Sequence, residues 1–481
     1  MTNQNVFDTL AASGRNWPDR VAVYDDAGAL TYQDLYDEVE VLRGDLTRLG
    51  IKPGHGVGVM AANGRHFVVA VLATLACGAT VMPLAVQLKY AELESALRVV
   101  PLHAILSKGK QCCHAAAERV DQLDGEMVLC WLSQAPRPLI PQLPSTAFIR
   151  FTSGTTSQAK GVAITHQSVL ERTAAAQAGL ELTPGDNIIW VLPMAYHFIV
   201  SIILYLRYGV GIIVCPRIYA ADIIEFANRF EGSVLYAAPM HYQLLANAPD
   251  DRVMSKLRLA ISTSAALPKD INETFSSRFG VPVAQAYGII EIGLPILNTR
   301  AINVPQAVGH TLPDYEAVVF DRDLHPLASG QVGQLAIRGP GMFDAYLPYL
   351  SCKDVLVAND WFLTGDFASI DNTGLIVVEG RAISVINVAG NKVFPEDVEA
   401  VLNAHESVRL SRVFAVPHPT FGEIVHAEIQ SEPGAVCDVN ELMTSCRAQL
   451  SSFKVPQRLV LVDRIPQTSS GKVVRHVGGN D

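Results

Sequence analysis

The spacing of the apolar positions along the chain predicts an α/β protein. In the stretch that Thr31 begins and Gly50 ends, leucines and valines recur at the intervals of an amphipathic helix, and both end residues suit helix caps. The short apolar runs 57–60 and 78–84 predict buried strands, and the apolar stretch 67–77 between them predicts a buried helix. Repeated strand–helix–strand units of this kind indicate parallel sheets covered by helices.

Apolar runs farther along the chain continue this alternation. Four of them predict strands that end in turns, at 146–151, 188–192, 235–239 and 259–267. Residues 166–180 suit a helix. The longest apolar run, 198–215, contains Arg207 and two glycines, so it predicts a buried helix followed by a central strand and not a membrane span.

Length and composition narrow the class of protein. At 481 residues the chain is long enough for two to four units of about 150 residues each, and 49% apolar residues supply ample cores. With a net charge of −10 the chain has no general excess of basic residues, so nucleic acid is not expected as a partner. The 8 cysteines show no zinc spacing, and polar residues interrupt the N-terminal segment where a secretory signal would be apolar. We therefore expect a cytoplasmic protein with free thiols.

A loop directly after the predicted strand 146–151 carries the chemistry of a polyphosphate site. Backbone N–H groups, hydroxyls and a lysine at the end of a strand can hold anionic oxygens. Because Ala159 and Gly161 flank the lysine, the loop is not a Walker A motif, and a P-loop kinase or GTPase is excluded. The candidate phosphate-binding residues are Thr152, Ser153, Gly154, Thr155, Thr156 and Lys160.

This loop resembles the phosphate-binding signature of the adenylate-forming superfamily, which includes acyl- and aryl-CoA synthetases, luciferases and peptide-synthetase adenylation domains. Ser157 and Ala159 depart from its usual glycine and proline. Two further segments are similar to motifs of that superfamily. The segment 361–366 matches Trp-x-x-Thr-Gly-Asp in full, and 466–475 matches the terminal motif. The resemblance extends over nearly the whole chain.

The resemblance implies the adenylate-forming enzyme fold. A large N-terminal α/β domain of helix-covered sheets is expected at residues 1–379, and a small, mobile α+β C-terminal domain at 380–481. Lys472 of the terminal motif would enter the active site and bridge the acid's carboxylate and the α-phosphate of ATP. Ile383 stands where the hinge residue is normally Asp or Lys, so the efficiency of the domain rotation between half-reactions is open.

The resemblance also assigns the nucleotide and magnesium contacts. Tyr287 would stack on adenine, Glu291 would ligate Mg²⁺ through a hard oxygen, and Asp366 would accept both ribose hydroxyls. Ile290 replaces a threonine that offers its hydroxyl to the α-phosphate, which should cost on the order of 1 kcal/mol if no other group replaces that hydroxyl. Further nucleotide contacts are expected from Ser264, Ala265, Ala266, Gly288 and Arg381.

The acid is expected to bind at 193–198, after a predicted strand, where α/β proteins place ligands. Tyr196 takes the place of the superfamily's aromatic gate residue; a one-residue shift would put His197 there, and a core role for His197 is the alternative. Domains that activate amino acids carry an aspartate after the gate. Since this chain does not, an amino acid is disfavoured and a hydroxyl, keto or carboxyl group on the acid is favoured.

Further wall residues of the acid pocket follow from the resemblance: Tyr236, Ser262 and Gly288. The superfamily often has Gly-Gly-Ala where this chain has Thr263-Ser264-Ala265. Larger side chains should narrow the floor of the pocket, which favours a small or compact acid over a long fatty chain.

Together these features predict an ATP-dependent carboxylic acid ligase, an AMP-forming acid–thiol ligase with ATP and Mg²⁺. The acid attacks the α-phosphate to give acyl-AMP, and the acyl group then passes to a thiol, with CoA as the expected acceptor. A carrier-protein phosphopantetheine arm acting in trans and a free amine are the alternatives. A non-catalytic acyl- or nucleotide-binding paralogue is the competing class, motivated by Ser157, Ile290 and Ile383.

Overall fold

The computed structural model describes most of the chain. The described residues are 5–109, 117–132, 138–152, 160–249, 251–264, 267–298, 304, 307–381, 386–389, 391–393 and 395–465. The chain forms two compact units. The first comprises Met1–Val86, Val99–Phe151 and Gly161–Gly380, and the second comprises Gln87–Arg98, Thr152–Lys160 and Arg381–Asp481. The second unit therefore includes two segments that precede the domain boundary expected at 379/380. That boundary remains a prediction.

The helices described are α1 (Val6–Asn16), α2 (Tyr32–Leu49), α3 (Arg65–Ala76), α4 (Tyr90–Val99), α5 (His166–Leu180), α6 (Met194–His197), α7 (Ile203–Arg207), α8 (Ala220–Arg229), α9 (Pro239–Ala246), α10 (Lys269–Phe279), α11 (Pro395–Asn403) and α12 (Val439–Gln449). A π-helical turn, Phe198–Ile202, joins α6 to α7, and short 3₁₀ turns lie at Asp124–Glu126 and Cys352–Asp354.

The strands described are β1 (Val21–Asp25), β2 (Gly28–Thr31), β3 (Gly56–Met60), β4 (Thr80–Leu84), β5 (Ala104–Lys108), β6 (Arg119–Gln122), β7 (Met127–Trp131), β8 (Thr146–Thr152), β9 (Lys160–Thr165), β10 (Asn187–Trp190), β11 (Gly211–Val214), β12 (Val234–Ala237), β13 (Leu259–Ser262), β14 (Val283–Ile289), β15 (Gly293–Leu297), β16 (Ala307–Thr311), β17 (Glu316–Phe320), β18 (Gly333–Arg338), β19 (Ala345–Leu347), β20 (Leu350–Ser351), β21 (Phe362–Ile370), β22 (Ile376–Arg381), β23 (Ile386–Val388), β24 (Asn391–Val393), β25 (Val408–His418), β26 (Gly422–Ser431) and β27 (Arg458–Leu461).

Most described strands form two large sheets. The 13-stranded sheet has the order β17-β18-β21-β22-β16-β15-β14-β13-β12-β10-β11-β1-β2, and the 9-stranded sheet has the order β20-β19-β9-β8-β4-β3-β5-β7-β6. The run β1-β11-β10-β12-β13-β14 is parallel. Its central strands are almost wholly buried, as expected for a sheet covered on both faces. This confirms the predicted α/β class with helix-covered sheets.

Local signals in the sequence correctly located the first elements. Thr31 caps α2 through a hydrogen bond from the N–H of Asp34, and Asp34 in turn accepts from Thr31 in a capping box. Gly50 ends the helix with φ 112°, a conformation that a glycine adopts without strain. The run 198–215 forms the π-helical turn, α7 and β11, so a buried helical segment does precede a central strand. Among the described helices, none has the length and apolar character needed to cross a membrane.

The second unit has a core of its own. A smaller sheet, β24-β23-β26-β25 with β27 beside β26, packs against α11 and α12. Its buried residues are mostly aliphatic and include Val398 of α11, Ile429 of β26 and Leu442 of α12. This mixed sheet-and-helix architecture is the small α+β unit that the resemblance implied.

Candidate active site

Several predicted site residues lie outside the described residues. They are Ser153, Gly154, Thr155 and Thr156 of the phosphate loop, Ala265, Ala266 and Lys472, together with Ser157 and Ile383. The side chains of Thr152 and Arg381 are likewise not described. Thr152 ends β8 and Lys160 begins β9, so the predicted loop connects two adjacent strands of the 9-stranded sheet. The roles expected for all these residues remain predictions.

Two residues predicted to hold adenine and ribose are hydrogen-bonded to each other. Tyr287 lies on β14 and Asp366 on β21, and the Tyr287 hydroxyl donates to Asp366 Oδ2 at 2.5 Å. Asp366 is only 2% exposed, and its backbone N–H donates to Thr364 Oγ1 at 3.1 Å. A carboxylate held by a hydroxyl is pre-oriented, so the structure brings these two predicted nucleoside contacts together.

The turn after β14 places the candidate magnesium ligand. Tyr346 of β19 donates its hydroxyl to Glu291 Oε1 at 3.0 Å, and the Glu291 carbonyl accepts from the Phe343 N–H at 2.6 Å. Burial and the Glu291 carboxylate raise the pKa of Tyr346 above its ordinary value. Among the described residues, Glu291 Oε2 has no hydrogen-bond donor. A partly buried carboxylate with one oxygen held in this way fits a Mg²⁺ ligand.

A buried arginine of α5 donates hydrogen bonds to the backbone of this turn. Arg172 donates from Nη1 to the carbonyl of Ile290 at 2.9 Å and from Nε to the carbonyl of Gly341 at 2.8 Å. Its side chain is fully buried, and desolvation lowers its pKa to about 10, so the guanidinium is still protonated at neutral pH. Ile290, where the superfamily has threonine, thus contributes its backbone carbonyl to the support of the site.

Backbone constraints explain two residue types in the site. An added Cβ at Gly288 would lie 2.5 Å from the carbonyl oxygen of Gly293, so no side chain fits at this position. Ser264 has φ 75°, in the left-handed region that glycine adopts freely and other residues adopt at a cost of about 1 kcal/mol or more. The glycine that the superfamily often has at this position is therefore explained by the backbone.

The segment that follows β10 leads into an aromatic cluster. Trp190, the last residue of β10, is fully buried and stacks on Tyr236 of β12 with ring centroids 6.0 Å apart. The partly buried ring of His197 packs edge-on against both of them, at 5.9 Å from Trp190 and 6.5 Å from Tyr236. The Tyr236 hydroxyl is hydrogen-bonded to Thr263 and Ser201. The structure therefore brings His197 and Tyr236 together.

Ser262 does not join this cluster. In the parallel register Tyr236 pairs with Ile261, whereas Ser262 pairs with Ala237. Since side chains alternate along a strand, Ser262 lies on the opposite face of the sheet from Tyr236. Ser262 Oγ is buried and has no hydrogen-bond partner among the described residues.

Strand β8 contacts the same segment from the other sheet. The ring of Phe148 packs against Phe198 at 6.3 Å, and the guanidinium of Arg150 lies over the ring of Tyr196 at 4.3 Å. Phe148 and Arg150 are two residues apart and share one face of the strand. The strand that leads into the predicted phosphate loop therefore packs directly on the predicted acid gate.

Comparison with known families identifies the chain. Residues 10–347 match the family described as AMP-binding enzyme, and residues 397–472 match the AMP-binding enzyme C-terminal domain. The chain belongs to the AMP-binding enzyme family. The predicted membership of the adenylate-forming superfamily is thereby confirmed, and Lys472 is the last residue of the C-terminal match.

Relatives of this AMP-binding enzyme act on different acids. The chain is 27% identical to the sulfoacetate–CoA ligase of Cupriavidus necator, with 98% of each protein covered. It is 25% identical to a feruloyl-CoA synthase of an Amycolatopsis species, with 99% of this chain and 98% of the relative covered. The solved structure of an amide bond synthetase from Marinactinospora thermotolerans has the same fold, with 24% identity, a TM-score of 0.85 and 98% of each chain covered.

Three residues of the site escaped the sequence analysis: Arg150, Arg172 and Tyr346. Arg172 and Tyr346 carry no signal in the sequence, because a single arginine in a helix or a single tyrosine in a strand is ordinary. Arg150 did carry one, since it is a charged residue within an apolar run, 146–151, that predicts a buried strand.

Proposed function

We propose that this AMP-binding enzyme is an ATP-dependent ligase that joins a carboxylic acid to the thiol of CoA through an acyl-adenylate. The observation that carries the proposal is the hydrogen-bonded pair Tyr287–Asp366 beside the Glu291 turn. These groups suit the base and ribose of a nucleotide and the metal on its phosphates. Family membership and the CoA ligases among its relatives support the same assignment.

The first half-reaction needs positioning and charge stabilisation and no covalent enzyme intermediate. A carboxylate oxygen of the acid attacks the α-phosphorus of ATP, and the bond from that phosphorus to the bridging oxygen of the β-phosphate breaks, releasing pyrophosphate. Bound Mg²⁺ would neutralise phosphate charge next to Glu291. Lys472 would stabilise the charge at the α-phosphate, and Lys160 with the phosphate loop would hold the β- and γ-phosphates.

In the second half-reaction the sulfur of CoA attacks the acyl carbonyl carbon. The bond from that carbon to the AMP oxygen breaks, AMP leaves and the thiol proton passes to solvent. A phosphopantetheine arm of a carrier protein would react through the same sulfur chemistry. An amine acceptor is the second candidate, favoured by the structural likeness to an amide bond synthetase.

The test is acid-dependent release of pyrophosphate from ATP, measured over a panel of aryl, short-chain, keto and dicarboxylic acids. We expect at least one acid to stimulate release well above the acid-free rate. Addition of CoA, of pantetheine or of simple amines then identifies the acceptor from the AMP and the conjugate formed. If no acid stimulates pyrophosphate release while ATP still binds, the protein is a nucleotide-binding paralogue and the proposal is wrong.

The matched variant for this assay is Lys472→Ala. Because Lys472 is expected to stabilise charge only during adenylation, the variant should lose pyrophosphate release by about a hundredfold or more. It should still transfer the acyl group of a chemically prepared acyl-AMP to the acceptor. Equal loss of both half-reactions in a folded variant would contradict the role assigned to Lys472.

A further inference from the structure

Arg150 has fewer polar partners among the described residues than three other arginines of the first unit, Arg65, Arg172 and Arg258. Arg65 pairs with Asp25 at 2.6 Å and Arg258 pairs with Asp186 at 2.6 Å, so each charge is balanced by a carboxylate. Arg172 instead satisfies two backbone carbonyls. Arg150 donates one hydrogen bond, from Nη1 to the Phe151 carbonyl at 3.1 Å, and otherwise stacks on the Tyr196 ring.

No carboxylate among the described residues balances this charge. Desolvation lowers the pKa of Arg150 to about 10, and within the part of the chain that the structure describes Tyr196 is the one group that raises it. The guanidinium is therefore protonated at neutral pH, and a partly buried cation without a counter-charge is costly. An anionic ligand bound at Arg150 would supply the missing counter-charge.

The position of Arg150 relates it to the reacting groups. It lies two residues before Thr152, at which the predicted phosphate loop begins, and its guanidinium covers Tyr196, the predicted gate of the acid pocket. An anion that bound Arg150 would therefore lie beside the gate. The guanidinium fork can bind a carboxylate or sulfonate through two parallel hydrogen bonds.

The aromatic cluster limits the length of the acid. Trp190 is fully buried, Tyr236 is 7% exposed, and their stacked rings fill the interior next to His197. Large side chains at the ends of β10 and β12 leave less space for an acyl chain than small ones would. This favours a short acid over an extended aryl or fatty acid.

We infer that Arg150 is a specificity-determining residue that binds a second anionic group on the acid, so that the substrate is a short acid carrying a carboxylate or sulfonate besides the reacting carboxylate. This inference rests on the proposed function, since it concerns the acid that the ligase activates. The phosphates of ATP are the competing anion for Arg150, and the experiment separates the two sources.

The test compares matched acids in the pyrophosphate assay: sulfoacetate and succinate, which carry a second anion, against propionate and butyrate. The wild-type enzyme should prefer at least one dianionic acid to its monoanionic partner by about tenfold or more in kcat/KM. Arg150→Met should remove that preference, because kcat/KM should fall for the dianionic acid by about tenfold more than it does for the monoanionic partner. Arg150→Lys should retain part of the preference for the dianionic acid, because lysine keeps the positive charge but lacks the guanidinium fork.

Arg229→Met is the matched control. Arg229 is exposed, and its guanidinium stacks on Phe230 at 5.0 Å in the same unit, so this variant also removes an arginine–aromatic contact. It should leave all four rates unchanged. Thermal melting establishes that each variant is folded, and Arg150→Gln replaces Arg150→Met if the latter does not fold.

The outcomes distinguish this inference from the proposed function. Failure of every acid in the wider panel would overturn the proposed function itself. Turnover of monoanionic acids alone, or a dianion preference that survives in Arg150→Met, would overturn the inference and leave the ligase assignment intact. A rise of about tenfold or more in the KM for ATP, with all acids affected equally, would assign Arg150 to the phosphates and also overturn the inference.

Discussion

At the scale of single residues, the site consists of side chains that orient one another. The Tyr287 hydroxyl holds the Asp366 carboxylate, and the Tyr346 hydroxyl holds Glu291. A tyrosine hydroxyl can fix one carboxylate oxygen and leave the other for a ligand. Asp366 and Glu291, the predicted ribose and metal contacts, therefore each have a partner that orients the carboxylate.

Replacing Asp366 tests the ribose contact. Asp366→Ala should raise the KM for ATP by about tenfold or more and change kcat by less than about threefold, since a ribose contact exists in the ground state and in the transition state alike. Steady-state kinetics of pyrophosphate release at saturating acid measures both constants. Tyr287→Phe keeps the ring and removes only the hydrogen bond, so its effect should be smaller. A fall in kcat alone would require another role for Asp366.

Replacing His197 tests the aromatic cluster as the acid pocket. The His197 ring packs edge-on against Trp190 and Tyr236, and it follows the predicted gate residue directly. His197→Ala should penalise a polar acid by about 1–3 kcal/mol and relax discrimination towards apolar acids, with the affinity for ATP unchanged. The measurement is kcat/KM for the best acid and for an isosteric apolar analogue. An unchanged ratio would make His197 a structural residue.

At the scale of elements, one carboxylate connects the starts of three strands of the parallel sheet through hydrogen bonds. Asp186, directly before β10, accepts from Ser233 Oγ before β12 at 2.7 Å and from Arg258 Nη2 before β13 at 2.6 Å. It also accepts from the Thr183 N–H at 2.8 Å. Burial alone would raise the pKa of Asp186, but these bonds outweigh it and lower the pKa to about 2.

The stability that Asp186 contributes should therefore depend on pH. Its folded pKa of about 2 lies below the ordinary value of 3.8, so the contribution is complete above about pH 4 and is lost as the pH falls towards 2. Asp186→Asn should cost about 1–2 kcal/mol at pH 7, a figure reduced because Arg258 is partly exposed.

Urea unfolding of both proteins at several pH values measures this difference, which should shrink as the pH falls below about 4. The control is Glu316→Gln, which breaks the exposed pair with Arg338 and should change stability little at any pH. A difference between wild type and Asp186→Asn that stayed constant with pH would contradict the assigned role.

At the scale of the whole molecule, the two units do not follow the order of the chain. The segment Gln87–Arg98, early in the sequence, belongs to the second unit. There Lys454 Nζ pairs with Glu92 Oε1 at 2.7 Å and with Asp397 Oδ2 at 3.1 Å, and the Ser451 hydroxyl donates to Glu92. Burial alone would lower the pKa of Lys454, but Asp397 and Glu92 outweigh it and raise it.

Breaking this cluster should weaken the second unit selectively. Glu92→Gln leaves the partly buried Lys454 with one carboxylate, which should cost about 1–3 kcal/mol. Hydrogen exchange of α12 should become faster, whereas exchange in the parallel strands of the first unit should not change. Glu94→Gln on the same helix breaks only the exposed pair with Arg98 and serves as the control. Equal effects of the two variants would show that the cluster contributes nothing specific.

Much of this protein follows from the sequence alone, because the determining interactions are local. The cap at Thr31, the glycine at position 50 and the buried runs that became β3, β4 and α5 depend on neighbouring residues in the chain. The motif segments 151–161, 361–366 and 466–475 are equally local, and they were sufficient to predict the family and the fold class.

Tertiary structure decided which distant residues meet. Tyr287 contacts Asp366, Arg172 supports Ile290, Arg150 lies over Tyr196, and Glu92 balances Lys454. In each pair the two residues lie far apart in the sequence, so their contact depends on strand order and packing that no local pattern encodes. For the same reason, strand register placed Ser262 and Tyr236 on opposite faces of the sheet. Local patterns in the sequence determine which groups the chain carries, and the packing of distant segments determines which of them act together.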